Sequence, residues 1–422
     1  MRQLKIIRLS IHKMLRNIHT FMRWGLLAAA TGLVIGGFST LFAACLRFVT
    51  DFRTERPWMI FFLPLAGIFI VFLYGLFQYK NDKGTNMVLS TIHAETEVPF
   101  KMAPLIFIST VITHLFGGSA GREGAALQLG GSIGNQLGRW FRLDDRDRRI
   151  LVMCGMSAAF SAIFGTPIAA VVFAMEVVSV GVMYYAALVP CVFASLISFK
   201  IANHMGIGPN VFHLLGVPSF QLFPTIKIIA LAMLCAGLSV LFCIILHSLG
   251  DVYRAKLKNP YIRIIFSAVV IILLTLCLQT DDYMGAGVPV IVRAIKGNVH
   301  PTAFFWKIVF TALTLEAGFK GGEIVPSFFV GATFGCLFGQ IAGLSPSLCA
   351  GVGMVSVFCG VTNCPISSLL IAFELFGYDA VPYFMIAISV SFLLSGYYGL
   401  YHDQTIVYSK YRSQYVNRKA RD

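Results

Sequence analysis

Charge is what this chain has least of. Only 12% of its 422 residues are Asp, Glu, Lys or Arg, against about a quarter in soluble domains. With 57% hydrophobic residues, that composition excludes an ordinary soluble globular protein and describes one embedded in a bilayer. Acid is missing altogether from residues 1–23, which carry Arg2, Lys5, Arg8, Lys13, Arg16 and Arg23. Missing there too is a small-residue cleavage site after a short apolar core. The segment is therefore not a secretory signal and reads as a helix lying at the inner interface. The ten cysteines, Cys45 to Cys364, have neither disulfide nor zinc spacing and read as small buried hydrophobes. His93, Glu95 and Glu97 lack a second ligand set, so no metal is expected. The nine histidines are scattered and leave no catalytic set at one depth, which argues against an intramembrane enzyme. Membrane topology accounts for the basic ends, so neither nucleic acid nor a cofactor is expected.

What is present is apolar and broken. The runs 24–44, 59–77, 226–246, 262–278 and 381–394 compare with the roughly 20 residues of one spanning helix. Other runs are interrupted by Gly and Pro. Such segments persist at membrane depth only where they are buried in protein or line a polar cavity. The chain is expected to be all-α and polytopic, with discontinuous helices. Lys410, Arg412, Arg418, Lys419 and Arg421 make the other end basic as well. Both termini are therefore expected in the cytoplasm of a cell inner (plasma) membrane protein. The expected order is an interfacial helix at 1–23, a first membrane repeat at 24–205, an outer linker at 206–224, a second repeat at 225–400, and an amphipathic inner helix at 401–422. The basic turns at 80–83 and 139–149 are expected inside.

The division into repeats comes from the residues. Gly155, Met156, Phe160, Pro167, Ile168, Ala174 and Glu176 reappear as Gly353, Met354, Phe358, Pro365, Ile366, Ala372 and Glu374, at a constant offset of 198 (353 minus 155). Upstream, Glu123 and Gly131 match Glu323 and Gly331 at an offset of 200 (323 minus 123). The segment after Gly131 ends among arginines, whereas that after Gly331 ends in the uncharged 342–347. One repeat is therefore expected to be inverted. Inverted repeats with broken helices place a substrate site near the midplane, between the halves.

The centre of that site is expected at Gly117-Gly118-Ser119-Ala120-Gly121-Arg122-Glu123-Gly124. Helices starting after Gly84, Gly124, Glu323 and Gly399 would point their positive ends at a common point, which suits an anion. Glu123 would compete for it. Ionised, its carboxylate sits where the anion would; protonated, it can move aside. One carboxylate could thus exchange protons for anions.

Gly118 to Gly124, Gly321-Gly322-Glu323-Ile324-Val325-Pro326 and the tyrosine near the C-terminus resemble the CLC chloride channel and transporter family, across roughly residues 24–418. The resemblance implies the CLC fold with two inverted-topology repeats and broken re-entrant helices. It also implies a homodimer with one pore per subunit, and Glu123 as the gating glutamate. No cytoplasmic regulatory domain is expected. Gly84-Thr85-Asn86-Met87 replaces the family's Gly-Ser-Gly-Ile-Pro. Ile324 stands for the phenylalanine of Gly-x-Phe-x-Pro, with Glu323 before it, and Val177 stands at the internal proton-transfer position. These departures are similar to the bacterial fluoride-exporting branch, which exchanges fluoride for protons, although Val325 replaces that branch's threonine. Proton-coupled fluoride export is the implied function. A voltage-gated-type chloride channel or a Cl−/H+ exchanger of the same fold is the alternative. Fluoride or chloride, protons and the lipid bilayer are the implied partners. The resemblance gives Glu323 a role as a second functional acid and Gly121, Arg122 and Gly124 a role at the anion turn. Asn86 and Met87 fall at the first signature. Ile324 would lend its backbone N–H, and Tyr401 its hydroxyl, with Tyr397, Tyr398 and Tyr408 nearby. Phe328 and Phe329 could present ring edges to an anion.

Overall fold

The computed structural model describes residues 2–79, 84–93, 97–208 and 211–420; the basic turn 80–83 and Glu95 lie outside the described residues. The first half runs α1 (Arg2–Thr54), a 3-10 turn (Pro57–Phe62), α2 (Leu63–Leu76), α3 (Thr85–Ile92), α4 (Met102–Leu115), α5 (Glu123–Trp140), α6 (Asp145–Phe164), α7 (Pro167–Glu176) and α8 (Leu188–His204). The second runs α9 (Leu222–Lys256), α10 (Pro260–Leu278), α11 (Val288–Ile295), α12 (Ala303–Ala317), α13 (Ile324–Ala342), α14 (Pro346–Thr362), α15 (Pro365–Phe376) and α16 (Val381–Leu394). Six helical segments among the described residues are long and apolar enough to cross a bilayer. The segment expected as a separate inner helix is continuous with the first span. Residues 10–54 contain no proline to break it, and α1 runs through Arg23.

Proline and glycine set the breaks. Gly165 ends α6 in the left-handed region at φ 76°, and Pro167 then opens α7. Asn363 at φ 58° and Pro365 do the same between α14 and α15. The two halves then close on each other reciprocally. Glu176 at the end of α7 accepts from the N–H groups of Ile366 (3.1 Å) and Ser367 (2.8 Å) at the start of α15. Glu374 on α15 accepts from Ile168 (2.9 Å) and Ala169 (2.8 Å) at the start of α7. Each acid satisfies orphan amides at the positive end of the other repeat's helix. Beside this seam, Phe160 and its counterpart Phe358 join Phe173, Phe164 and Phe328, with ring centroids 4.9–5.9 Å apart.

The register of the repeat differs from the expected one. Gly130 of α5 faces Gly155 of α6 so closely that a side chain on either would meet the other's carbonyl; Gly331 and Gly353 repeat this contact in α13 and α14. Gly134 against Leu151 and Gly335 against Cys349 follow one turn on. Between α5 and α13 the offset is therefore 201 (331 minus 130), not 200. Gly131, the residue matched by identity, faces Val88 of α3 instead. Residues four apart share a helix face, so the Gly130/Gly134 face corresponds to the Gly331/Gly335 face. The first helical bonds agree: Ala126 N–H to Arg122, and Ser327 N–H to Glu323. The counterpart of Glu123 is Ile324, and that of Glu323 is Arg122.

The tail is not an amphipathic helix. Three short strands, β1 (Ser179–Val180), β2 (Thr405–Tyr408) and β3 (Tyr415–Lys419), form a small sheet in the order β1-β2-β3, parallel then antiparallel. Thr-Ile-Val-Tyr favours a pleated surface, and the loop after α7 offers it an edge. Gln404 fixes the tail in the body by donating to the carbonyls of Val177 (2.9 Å) and Thr362 (2.8 Å).

Candidate anion and proton site

Two glycine turns meet at the centre. Gly121 and Gly322 form an isolated antiparallel bridge, with N–H to carbonyl distances of 2.7 and 2.9 Å. A Cβ at Gly124 would lie 2.9 Å from Gly322 Cα and 3.4 Å from Glu323 Oε2. Only bare backbone permits this approach. The bridge brings the starts of α5 and α13 together, and α3 begins beside them. Thr85 Oγ1 lies 3.2 Å from the position of a Gly124 Cβ. Three helix N-termini thus converge. The fourth expected one, after Gly399, is absent: no helix starts there, and the chain passes through Tyr401 into the sheet.

Glu123 is fully buried. Its Oε2 accepts from the N–H of Arg122 at 3.0 Å, and its Oε1 stands 3.5 Å from Arg122 Nε without a hydrogen bond. The Arg122 guanidinium also donates to the Ile163 carbonyl at 3.3 Å. The carboxylate therefore occupies the positive end of α5, where a free anion would be held. Glu323 occupies the N-cap position of α13 without a side-chain capping bond, with Oε2 sealed from solvent and without a hydrogen-bond partner. Tyr401 is 1% exposed, its hydroxyl is unpartnered, and it lies within electrostatic reach of both Glu323 and Glu123. Gln128 Oε1 is likewise unpartnered, while its Nε2 donates to Thr85 Oγ1 at 3.4 Å. Unpaired buried polar atoms are costly, and native proteins keep them where another species supplies the missing bond.

Asn86 and Met87 lie in the first turn of α3 and Ile324 opens α13, the helices that start at the centre. Asn86 Oδ1 accepts from the Asp403 N–H at 3.1 Å, and Met87 Sδ faces the Tyr79 hydroxyl. Ile324 is buried at the first position of α13. Tyr397 bonds Ser409 at 2.7 Å, while Tyr398 and Tyr408 are half exposed, which leaves Tyr401 as the tyrosine at the centre. Phe328 packs in the seam. Phe329 lies under the buried Lys307 ammonium at 5.2 Å. His93 faces the Val178 carbonyl, and Glu97 pairs with Arg139 and Arg148.

From the centre a cavity of about 440 Å³ opens along α9, lined by Asn86, Gln128, Glu323, Glu316, Arg254 and His402 among others. Sequence reasoning missed Thr85, Gln128, Glu316, His247 and His402. Thr85 lay inside the first-signature stretch, and Gln128 lies about one turn and a half beyond Glu123 on the same helix; the other three carried no signal.

The voltage gated chloride channel family matches residues 66–396. The chain belongs to that family. Among CLC relatives, a chloride/fluoride channel protein of Pseudomonas syringae pv. tomato is 36% identical over 396 residues, covering 92% of this chain and 88% of the relative. The crystal structure of a CLC-type fluoride/proton antiporter is 32% identical, with a TM-score of 0.87 over 91% of this chain and 98% of that one. A slow cyanobacterial Cl−/H+ antiporter shares the fold, with a TM-score of 0.77 at 18% identity. The protein is a multi-pass membrane protein of the CLC anion-transport family, and not an enzyme.

Proposed function

We propose that this CLC protein exports fluoride in exchange for protons, with Glu123 as the gate. One observation carries the reading: Glu123 Oε1, Glu323 Oε2 and the Tyr401 hydroxyl are buried without a hydrogen bond, and the two acids flank the Gly121–Gly322 bridge with Tyr401 in electrostatic reach of both. A small, strongly hydrated anion sheds water only where donors replace it. A tyrosine hydroxyl can donate, and so can a protonated glutamic acid. The Glu323 carboxylate suits an anion only while it carries a proton, which ties anion occupancy to proton uptake. Ionised Glu123 fills the α5 terminus, and protonated Glu123 releases it. Gly121 and Gly124 keep the turn open, Arg122 holds the ionised gate, and Ile324 contributes its backbone N–H. Asn86 and Met87 shape the first turn. The similarity to a chloride/fluoride channel protein and to a fluoride/proton antiporter supports fluoride over chloride. The chain works as a homodimer in the inner membrane, with repeats at 24–205 and 225–400 and both termini cytoplasmic.

Ion efflux from liposomes holding the purified protein tests the reading. Fluoride is expected to leave much faster than chloride and to drive protons the other way. Glu123→Gln, whose amide carries no proton, is expected to abolish the proton movement. Equal fluoride and chloride rates would favour the chloride reading, and proton movement unchanged in Glu123→Gln would remove Glu123 as the gate.

A further inference from the structure

Glu323 has a proton problem. Its Oε2 is sealed from solvent and has no hydrogen-bond partner. Something must bring protons through the cavity to it. Glu316, in the last turn of α12, lines the same cavity and lies within electrostatic reach of Glu323. It occupies a built recess. Its Oε2 lies where Gly250 of α9 has no side chain, and a Cβ there would collide with the carboxylate. Arg254 Nη2 stands 3.6 Å from the same point. One turn before Gly250, His247 stacks on His402 of the tail, with ring centroids 4.5 Å apart and both residues lining the cavity. The other charged or titratable groups facing Glu316 are Asp251 and Tyr253 on α9 and Arg263 on α10. Lys320 lines the same cavity.

We propose that Glu316 is the proton-loading carboxylate of this vestibule, fed by the His247–His402 pair and delivering to Glu323. The proposal rests on the fluoride/proton reading of the site. A proton from bulk water binds one imidazole of the pair, since two stacked rings resist carrying two charges. It passes to the Glu316 carboxylate, making a neutral acid. Glu316 then gives the proton, through cavity water, to the Glu323 carboxylate and returns to its anion beside Arg254. One proton enters, one arrives at Glu323, and nothing is oxidised or reduced. A cavity of about 440 Å³ with polar walls has room for the bridging water. Arg254 and Arg263 lie within electrostatic reach of the Glu316 carboxylate, which makes them positioning residues.

The test uses full-length protein in liposomes with a fluoride gradient. Glu316→Gln is expected to slow fluoride-driven proton flux about tenfold or more. Its fluoride affinity, read by titration calorimetry on the purified protein, should remain that of the wild type, and Glu316→Asp should restore most of the proton flux. The double variant His247→Gln plus His402→Gln should slow proton flux in weak buffer but not in concentrated buffer, where mobile buffer replaces the fixed imidazoles. Wild-type proton flux in Glu316→Gln overturns the proposal, as does an equal loss of flux and fluoride affinity, which marks a structural residue. If wild type moves fluoride without protons, the antiport reading falls and this proposal with it. If wild type moves chloride with protons instead, only the fluoride assignment falls, and Glu316→Gln is then scored with chloride as the driving ion.

Discussion

Glu123 and Glu323 lie next to each other at the centre but do different geometric jobs. Glu123 folds back onto the amide of Arg122 and closes the positive end of its own helix. Glu323 sits at the N-cap position ahead of its helix, makes no side-chain capping bond and leaves Oε2 without a hydrogen-bond partner. Arg122 and Glu323 are the structural counterparts in the two repeats, so the symmetric position carries a cation in one half and an acid in the other. Tyr401 reaches both carboxylates by electrostatics alone, and its hydroxyl is the neutral donor of the set. If Glu323 and Tyr401 hold one anion, losing the first weakens what the second can do. The double variant Glu323→Gln plus Tyr401→Phe is then expected to lose less fluoride affinity than the two single losses combined, with a coupling above about 0.5 kcal/mol. Affinities that simply add across the four proteins would place the two residues at separate sites, and Tyr401 would be the one to give up.

At the scale of the elements, bare helix surfaces set the geometry of the site. α5 and α6 touch through Gly130 and Gly155, and α13 and α14 through Gly331 and Gly353. In a bilayer, where lipid is as apolar as leucine, such close approach gives packing and dispersion contact that larger residues forbid. The starts of α5 and α13, and hence both carboxylates, are aimed by these contacts. Gly331→Ala puts a methyl group against the Gly353 carbonyl. It is expected to cost about 1–3 kcal/mol, as overpacking does, and to lower the thermal unfolding midpoint of the detergent-solubilised protein. Gly37→Ala on α1, where nothing lies within 4 Å of the added carbon, is the control. It should leave the midpoint unchanged or raise it, since Ala favours a helix over Gly by about 1 kcal/mol. Equal midpoints for the two variants would show that the α13–α14 contact yields without strain.

At the scale of the molecule, the two repeats are held as an inverted pair by the bridge Gly121–Gly322 at the centre and by the Glu176 and Glu374 caps at the seam. Basic residues gather at one face. Arg23 pairs with Asp147 at 2.8 Å, and Glu97 holds Arg139 and Arg148 near the start of α6. Arg254 and the tail residues His402 and Asp403 line the vestibule. Positive-inside bias puts such basic loops in the cytoplasm, so the vestibule should open there. Single cysteines at Arg142 and Arg412, in a background lacking the native cysteines, should resist a membrane-impermeant maleimide in intact cells and react after lysis. A cysteine at Leu215, in the linker after α8, should react in intact cells. Labelling in the reverse pattern would invert the protein and place its vestibule outside.

The sequence by itself determined the membrane class, the inverted repeat and the position of the Glu123 carboxylate at a helix start. Composition decides burial in lipid regardless of packing, and Gly-Pro breaks recur wherever helices must stop. Gly-Arg-Glu-Gly places a carboxylate at a helix start whatever surrounds it. Tertiary structure decided the rest. The offset of 201 depends on which glycines face the neighbouring helix, and letter identity favoured Gly131 although Gly130 makes the contact. The tail became strands because Ser179–Val180, remote in the chain, presents an edge beside it; locally its basic and apolar residues suit a helix as well. Glu316, His247 and His402 come from α12, α9 and the tail and share no motif. Their meeting in one cavity is a product of packing, because proton transfer depends on distance in space and not on spacing along the chain.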